Sequence, residues 1–196
     1  MSTEAPDRFQ RAAATKRKRT INSIAEAAKE LFDERGWHEV TRDDIAKAAG
    51  VGVATLHKNL GSKQNVALVA YASLVRPLVT EGAVTDREVE KVITDFIHDL
   101  ANAATDHPVL AIALLPACRD TKSDITKPRA AEVDLVNFDQ LAEHFGRLLE
   151  VFWNRRVNPV GNVTEIAELY LSGLLSWTLK HPDSSARAAT ILINQL

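Results

Sequence analysis

The chain contains one cysteine and little glycine or proline. Among its 196 residues there are 8 glycines, 7 prolines and the single Cys118. One cysteine cannot form an internal disulfide, which excludes a disulfide-stapled secreted scaffold and favours a reducing compartment. The low glycine and proline content excludes a collagen-like chain. The 45% share of hydrophobic residues excludes wholesale disorder.

Long apolar segments are lacking as well. The first 20 residues carry eight charged side chains and no apolar stretch of the kind that a secretion signal needs. No uncharged run approaches the roughly 18–20 residues that span a bilayer. The sequence also has no metal-binding histidine pair, glycine-rich phosphate loop or G-x-S-x-G segment, and so gives no reason to expect a metal, a cofactor or a catalytic residue. We therefore expect a cytoplasmic protein that is not an enzyme.

The net charge of −2 conceals a difference between two parts of the chain. Residues 1–63 carry a net charge of +3, and residues 64–196 carry −5. A basic part beside an acidic part indicates that the basic part meets a polyanion. The alternative is a solvated surface of mixed charge, and the composition alone does not separate the two.

Helical spacing of apolar residues runs through almost the whole sequence. Ile21, Ile24 and Ala28 recur three or four positions apart, with acidic residues on the opposite face. No segment alternates between polar and apolar residues for long enough to predict a strand. We expect an all-α protein of about nine helices. Gly36 should end the first helix in the left-handed conformation, and Pro77 should kink or end the fourth.

Residues 37–60 contain two short helical segments separated by a glycine. Thr41 suits the cap that begins the first segment, and Asp44, three residues later, carries the carboxylate that is favoured there. Gly50 supplies the turn, and the second segment begins at about Gly52. Two short helices around a glycine turn form a helix-turn-helix.

The segment from Arg19 to Lys63 resembles the DNA-binding domain of the tetracycline-repressor (TetR) family of bacterial regulators. The matching residues have the relative spacing of that family; they are Ile24, Ala27, Ala28, Leu31, Phe32, Gly36, Val40, Thr41, Asp44, Ile45, Ala46, Ala49, Gly50, Val51, Ala54, Thr55, Leu56, Ser62 and Lys63. The resemblance implies a three-helix DNA-binding domain followed by a larger helical domain for ligand binding and dimerisation. We expect a disordered tail over residues 1–15, the DNA-binding domain over residues 16–62 and the regulatory domain over residues 63–196.

Small residues at the start of the second segment suit entry into a DNA major groove. Gly52, Val53 and Ala54 let the helix start approach the bases closely. By the resemblance, Val53, Ala54 and Lys58 approach base edges. The side chains that the resemblance places near phosphates are Thr41, Arg42, Thr55, His57, Asn59 and Lys63.

Two positions depart from the family pattern. His57 stands where the family usually has an aromatic residue, often tyrosine. It gains charge in mildly acidic solution, so DNA binding that depends on pH is one interpretation and a tolerated surface replacement is the other. Leu60 stands where the family has phenylalanine, and we expect it to fill the core.

A basic run, Lys16–Arg19, precedes the first core residues. It is either an arm on DNA phosphates or in an adjacent minor groove, or a solubilising tail. Because the run adjoins the DNA-binding motif, we favour DNA contact and include Arg19 among the DNA-binding residues.

The middle of the chain carries apolar stripes rich in phenylalanine. In TetR-like proteins the corresponding helices enclose an effector pocket, whereas such stripes otherwise form only core. The candidate pocket residues are Phe96, Leu100, Leu110, Leu114, Phe138, Leu141, Phe145 and Phe152. A pocket of this composition suits a hydrophobic or amphipathic small molecule.

The last two predicted helices carry an apolar stripe that is broader than packing against one face of the same chain requires. Two such helices from each subunit would form a four-helix bundle around a two-fold axis, and the alternative is that the stripe completes the core of its own subunit. The candidate residues of a homodimer interface are Ile166, Leu169, Tyr170, Gly173, Leu174, Trp177, Ala188 and Leu192.

These features together predict a transcriptional regulator. We expect a homodimeric repressor that binds double-stranded operator DNA and is released by a small-molecule effector. An activator, or a regulator without an effector, is an alternative on the same fold. A helical enzyme or interaction module, in which the helix-turn-helix only packs, is the alternative from another class.

Overall fold

The computed structural model describes residues 8–79, 88–115, 136–153 and 162–195. These residues form ten α-helices, two short 3-10 helices and no strand, which confirms the all-α prediction. They divide into two compact units, the first ending at Ala70 and the second beginning at Tyr71. Cys118 lies outside the described residues.

The first unit is built around one long helix. Its elements are α1 (Arg8–Glu39), α2 (Arg42–Ala48), α3 (Val53–Leu60) and α4 (Lys63–Ala70). α1 packs against each of the other three helices. Apolar side chains from all four meet in the core, among them the fully buried Ile24, Ile45, Leu56, Leu60 and Val66. Leu60 fills the core as predicted.

The start of α1 differs from the expectation of a disordered tail. Residues 8–15 are helical, because arginine, glutamine and three consecutive alanines are strong helix formers. Residues 1–7 lie outside the described residues. Near the other end of α1, Gly36 interrupts the helix with a φ of 75° and a ψ of −179°, a combination that only glycine adopts readily. The positive φ was predicted, but Gly36 is not the left-handed end of the helix, since α1 continues to Glu39.

α4 packs with the first unit, although the expected domain boundary at residue 62 precedes it. The backbone N–H of Asn65 donates to Ser62 Oγ (3.1 Å), so Ser62 caps the start of the helix. The Asn65 side-chain amide donates to the carbonyl of Leu60 (2.8 Å). These bonds join the end of α3 to α4, and the buried Val66 and Ala67 attach α4 to the same core.

The second unit holds the remaining helices. They are α5 (Ala72–Val75), α6 (Val89–Asp106), α7 (Pro108–Leu114), α8 (Phe138–Trp153), α9 (Val163–Lys180) and α10 (Ser185–Gln195), with 3-10 helices at Arg76–Leu78 and Pro182–Ser184. α5 ends before Pro77, as the sequence predicts. α8 and α9 approach closely at Gly146, where an added Cβ would lie 3.5 Å from the Thr164 Cα. None of the helices in the described part of the chain has the length and hydropathy that a bilayer span requires.

Candidate nucleic-acid interface

A reciprocal cap begins α2. Thr41 Oγ1 accepts from the backbone N–H of Asp44 (3.2 Å), and the Asp44 carboxylate accepts from the Thr41 backbone N–H (2.9 Å). The carboxylate also accepts from the Thr41 hydroxyl (2.5 Å). These bonds hold the pKa of Asp44 below its usual value, with the hydroxyl bond as the largest cause. The predicted cap is confirmed, and it fixes the exposed Thr41 and Arg42 at the start of α2.

The turn between α2 and α3 is a glycine-terminated helix end. Gly50 has a φ of 66°, and its N–H donates to the carbonyl of Lys47 (3.2 Å). The N–H of Val51 donates to the carbonyl of Ala46 (2.9 Å). This pair of bonds is the Schellman arrangement, which satisfies the last carbonyls of α2 and reverses the chain sharply. The predicted helix-turn-helix is therefore present, and Gly50 forms its turn as expected.

α3 buries one face and exposes the other. Leu56 and Leu60 have no exposed surface, whereas Val53 is 42% exposed despite being apolar. The exposed positions at and along α3 are Gly52, Val53, Ala54, Thr55, His57 and Lys58, while Asn59 is half-buried. The exposed set contains every residue that the sequence placed at base edges. An α-helix whose exposed face combines small residues with a cation fits a major groove.

The carbonyl of Gly61, at the end of α3, accepts from two side chains that the sequence placed near phosphates. Nδ1 of His57 lies 3.0 Å from this oxygen, and a guanidinium nitrogen of Arg42 lies 3.4 Å from it. A third such residue, Asn59, donates its amide to the Thr55 carbonyl (2.7 Å). The bond of Arg42 joins the start of α2 to the end of α3, whereas the bond of His57 lies within the end of α3.

Lys63 is turned inward and contacts α1. Its ammonium group donates to the carbonyl of Trp37 and lies 4.6 Å from the centre of the Trp37 ring. Burial of the half-exposed side chain lowers the pKa of Lys63. Sequence reasoning missed this contact, because no helical spacing links residues 26 positions apart. The contact joins α4 to the end of α1. A contact between Lys63 and a DNA phosphate stays a prediction.

The basic run Lys16–Arg19 is part of α1. The expectation of a flexible arm or tail is wrong in this respect, since the helix continues through the run. Lys16, Lys18 and Arg19 are exposed, and Arg17 is half-buried. Arg19 therefore stands on a rigid helix, one turn before Ser23.

The residues expected to line an effector pocket all lie in the core of the second unit. Each of the eight is buried, and Phe96, Phe138 and Phe152 retain 3–7% exposure. The rings of Phe96 and Phe145 stack with their centres 5.2 Å apart. The structure thus brings α6 and α8 together through these side chains, and their role as a pocket stays a prediction.

The residues expected at a dimer interface do not all share one face. On α9, Leu169 is 74% exposed, Trp177 is 47% exposed and Gly173 is also exposed. Leu174 is only 3% exposed, since it lies on the opposite face of α9 with other core residues. The prediction that Leu174 lies at the surface of a dimer interface is therefore wrong. The half-buried members of the expected set are Ile166, Tyr170, Ala188 and Leu192.

The first unit matches a known family. Residues 24–70 match the model described as "Bacterial regulatory proteins, tetR family". The first unit of the chain is thus similar to the N-terminal domain of TetR-family regulators, which confirms the predicted resemblance. Among the residues described, no group of three or more histidine, cysteine or acidic side chains is placed to hold a metal ion.

Solved structures share the fold over most of the chain. FadR from Thermus thermophilus, a TetR-family repressor in complex with lauroyl-CoA, is 21% identical, with 89% of this chain and 90% of that chain covered and a TM-score of 0.59. A putative TetR-family regulator from Rhodococcus sp. is 14% identical, with coverages of 89% and 95% and a TM-score of 0.59. PfmR, also from Thermus thermophilus, is 20% identical, with coverages of 87% and 91% and a TM-score of 0.52. At these identities the likeness is one of fold. No curated protein matches the sequence.

Proposed function

We propose that this protein is a homodimeric, sequence-specific DNA-binding repressor that a small molecule releases from its operator. The observation that carries the proposal is the exposed face of α3, which displays Val53, Ala54 and Lys58 above the buried Leu56 and Leu60. Exposed apolar and cationic side chains on a rigid helix are suited to base edges. The match to the TetR family supports this role.

Each exposed side chain of α3 has a chemical task in this proposal. Val53 and Ala54 contact thymine methyl groups, and the Lys58 ammonium donates to a base acceptor. The Arg42 guanidinium and the Thr55 hydroxyl donate to phosphates, which set the register without reading sequence. Because the cap of Thr41 with Asp44 fixes the first turn of α2, the phosphate contact of Arg42 is preorganised.

Dimerisation follows from the exposed apolar surface of the last two helices. Leu169 and Trp177 lie eight residues apart on α9, which places both on one face, and Ile191 of α10 is 52% exposed. A second copy that covers this surface removes apolar area from water. Gly173, where an added Cβ would meet nothing within 4 Å, leaves room for the partner's backbone. A two-fold dimer would present two copies of α3 to half-sites about one helical turn apart, roughly 34–36 Å.

The apolar core of the second unit supports a hydrophobic or amphipathic effector. FadR, a protein of the same fold, is solved with lauroyl-CoA. An effector of this chemistry would lower DNA affinity by binding better to the state in which the two recognition helices do not match the half-sites. Phe145→Ala should then change the response to the effector more than it changes DNA affinity in the absence of effector.

The direct test is selection of duplexes from a random DNA library by the purified protein. We expect a palindromic consensus that binds in gel-shift assays and is released by a long-chain acyl-CoA probe. Failure to enrich any sequence would overturn the proposal. Reporter expression in a strain lacking the protein separates repressor from activator, since loss of a repressor raises expression. A selected operator that no acyl-CoA, fatty acid or other amphipathic probe releases would favour a regulator without an effector.

A further inference from the structure

α1 extends well beyond the core that it supports, and the extension is strongly basic. The first core side chain of α1 is Ile21, and residues 10–16 before it are all exposed. Lys18 and Arg19 are exposed as well. No aspartate or glutamate occurs between residues 8 and 25, so this stretch of helix presents cations without a carboxylate among them.

One hydrogen bond fixes which side of the extension adjoins the helix-turn-helix. Ser23 Oγ on α1 donates to the carbonyl of Ala49 (3.2 Å), which lies at the end of α2. Arg19 and Lys16 precede Ser23 by four and seven residues, and therefore share its face of α1. Both cations thus lie on the side of α1 that faces the turn leading into α3.

We propose that the basic extension of α1 is a second DNA-contacting element, which binds phosphates of the duplex beside the site that α3 reads. The inference rests on the proposed function and adds Lys16 to the expected contact of Arg19, since these two cations share the face that adjoins the helix-turn-helix. The helix rises about 1.5 Å per residue, so the stretch from Ser23 back to Lys16 spans about 10 Å. With base pairs about 3.4 Å apart, a helix that lies along the duplex reaches at most about three base pairs of flanking DNA.

Neighbouring cations on the extension repel one another in the free protein, and the phosphates of duplex DNA offset this repulsion. Lys16 and Arg19 are three residues apart, and like charges at this spacing destabilise a helix. A phosphate placed between them removes that repulsion, and each such contact releases counterions from the DNA. Phosphate contacts position a protein without reading bases. The extension should therefore strengthen binding to every duplex that is long enough, without changing the preferred sequence.

The test compares a double variant with a matched control on the same helix. Lys16→Gln/Arg19→Gln removes the two exposed cations on the face that adjoins the helix-turn-helix and keeps good helix formers. Arg11→Gln/Lys18→Gln removes two exposed cations that lie about 120–140° around α1 from Ser23. Binding is measured between about 50 and 200 mM salt. The probes are the duplex selected by the wild-type protein, with either no flanking DNA or about ten flanking base pairs on each side.

The wild type and the control should bind the flanked duplex about tenfold or more tightly than the unflanked one, since phosphate contacts dominate such affinity. The double variant should lose this gain in affinity. The slope of log affinity against log salt should flatten by about 0.9 for each phosphate that the variant no longer neutralises. Circular dichroism should show unchanged helix content. Lys16→Arg/Arg19→Lys, which keeps both charges, should bind as the wild type does.

If the double variant binds with wild-type affinity and salt slope, the extension only solubilises the protein, and the proposed function still stands. A changed base preference would contradict contact through phosphates alone. If the wild-type protein selects no duplex at all, the proposed function fails, and this inference fails with it.

Discussion

The imidazole of His57 is joined to the carbonyl of Gly61 by a hydrogen bond of 3.0 Å at Nδ1. A carbonyl oxygen only accepts, so Nδ1 carries the proton and donates it to this oxygen. A guanidinium nitrogen of Arg42 donates to the same oxygen at 3.4 Å. The bond orients the ring at the exposed surface of α3, where phosphates are expected.

The first prediction concerns the contact of His57 with DNA. His57→Ala removes the ring that the bond to Gly61 orients, and affinity should fall several-fold for all sequences alike, because a phosphate contact positions the protein without reading bases. His57→Gln keeps a side-chain donor, so its affinity should fall less. Fluorescence anisotropy on the selected duplex measures both variants beside the wild type. Unchanged affinity in His57→Ala would show that His57 is a tolerated surface replacement.

The second prediction concerns the contact between Lys63 and Trp37. Lys63→Ala removes the bond from the ammonium to the carbonyl at the end of α1, and the free energy of unfolding should fall by about 1–2 kcal/mol. Lys58→Ala, at an exposed cation of α3, should leave the thermal midpoint unchanged. If Lys63 also contacts phosphate, the alanine variant weakens binding to all sequences alike and flattens the salt slope. An unchanged midpoint would show that the contact contributes no stability.

The third prediction separates the two faces of α9. Leu169→Arg/Trp177→Arg places charges on the exposed apolar surface and should leave a folded monomer in sedimentation at micromolar concentration. Leu174→Arg buries an unpaired charge within the subunit and should cost about 3–5 kcal/mol of stability. A wild-type protein that sediments as a monomer would contradict the dimer and the spacing mechanism that depends on it.

The fourth prediction concerns acid stability of the second unit. Burial, assisted by the nearby Arg147 cation, lowers the pKa of His144, whose ring lies 5.9 Å from that of Phe96. Below about pH 6.5 the unfolded chain takes up a proton at this histidine before the folded protein does, so stability falls with pH. His144→Phe should lose less stability between about pH 7.5 and pH 5.5 than the wild type. The control is His38→Gln, at an exposed histidine, which should retain the acid response.

Equal losses of stability in the wild type and His144→Phe would show that other groups cause the acid response. Chemical denaturation at the two pH values measures the difference directly.

Local sequence signals determined much of the first unit. Thr41 and Gly50 occupy the cap and turn positions that their chemistry predicts, because each acts on backbone groups within a few residues. Burial of Leu56 followed from helical spacing. The expected disorder was wrong over residues 8–15, because it followed from their terminal position and not from the helix propensity of residues 10–14.

Contacts between distant residues could not be read from the sequence. Lys63 matched a motif position for phosphate contact, yet its ammonium group is bonded to Trp37, and only the packing of α4 on α1 reveals this. Leu169 and Leu174 both lie in one broad apolar stripe, and periodicity alone does not say which side of such a stripe is covered by its own chain. The orientation of α9 in the second unit determines which side of the stripe is buried.

The most direct test of the central claim, that α3 reads DNA sequence, compares wild type and Lys58→Ala on every single-base variant of the selected operator. We expect the alanine variant to lose preference, by about 1–3 kcal/mol, at one base position and its symmetry mate, while other positions keep theirs. An unchanged preference at every position, with a uniform loss of affinity, would place Lys58 on a phosphate. Unchanged affinity and preference together would contradict the assignment of α3 as the reading helix.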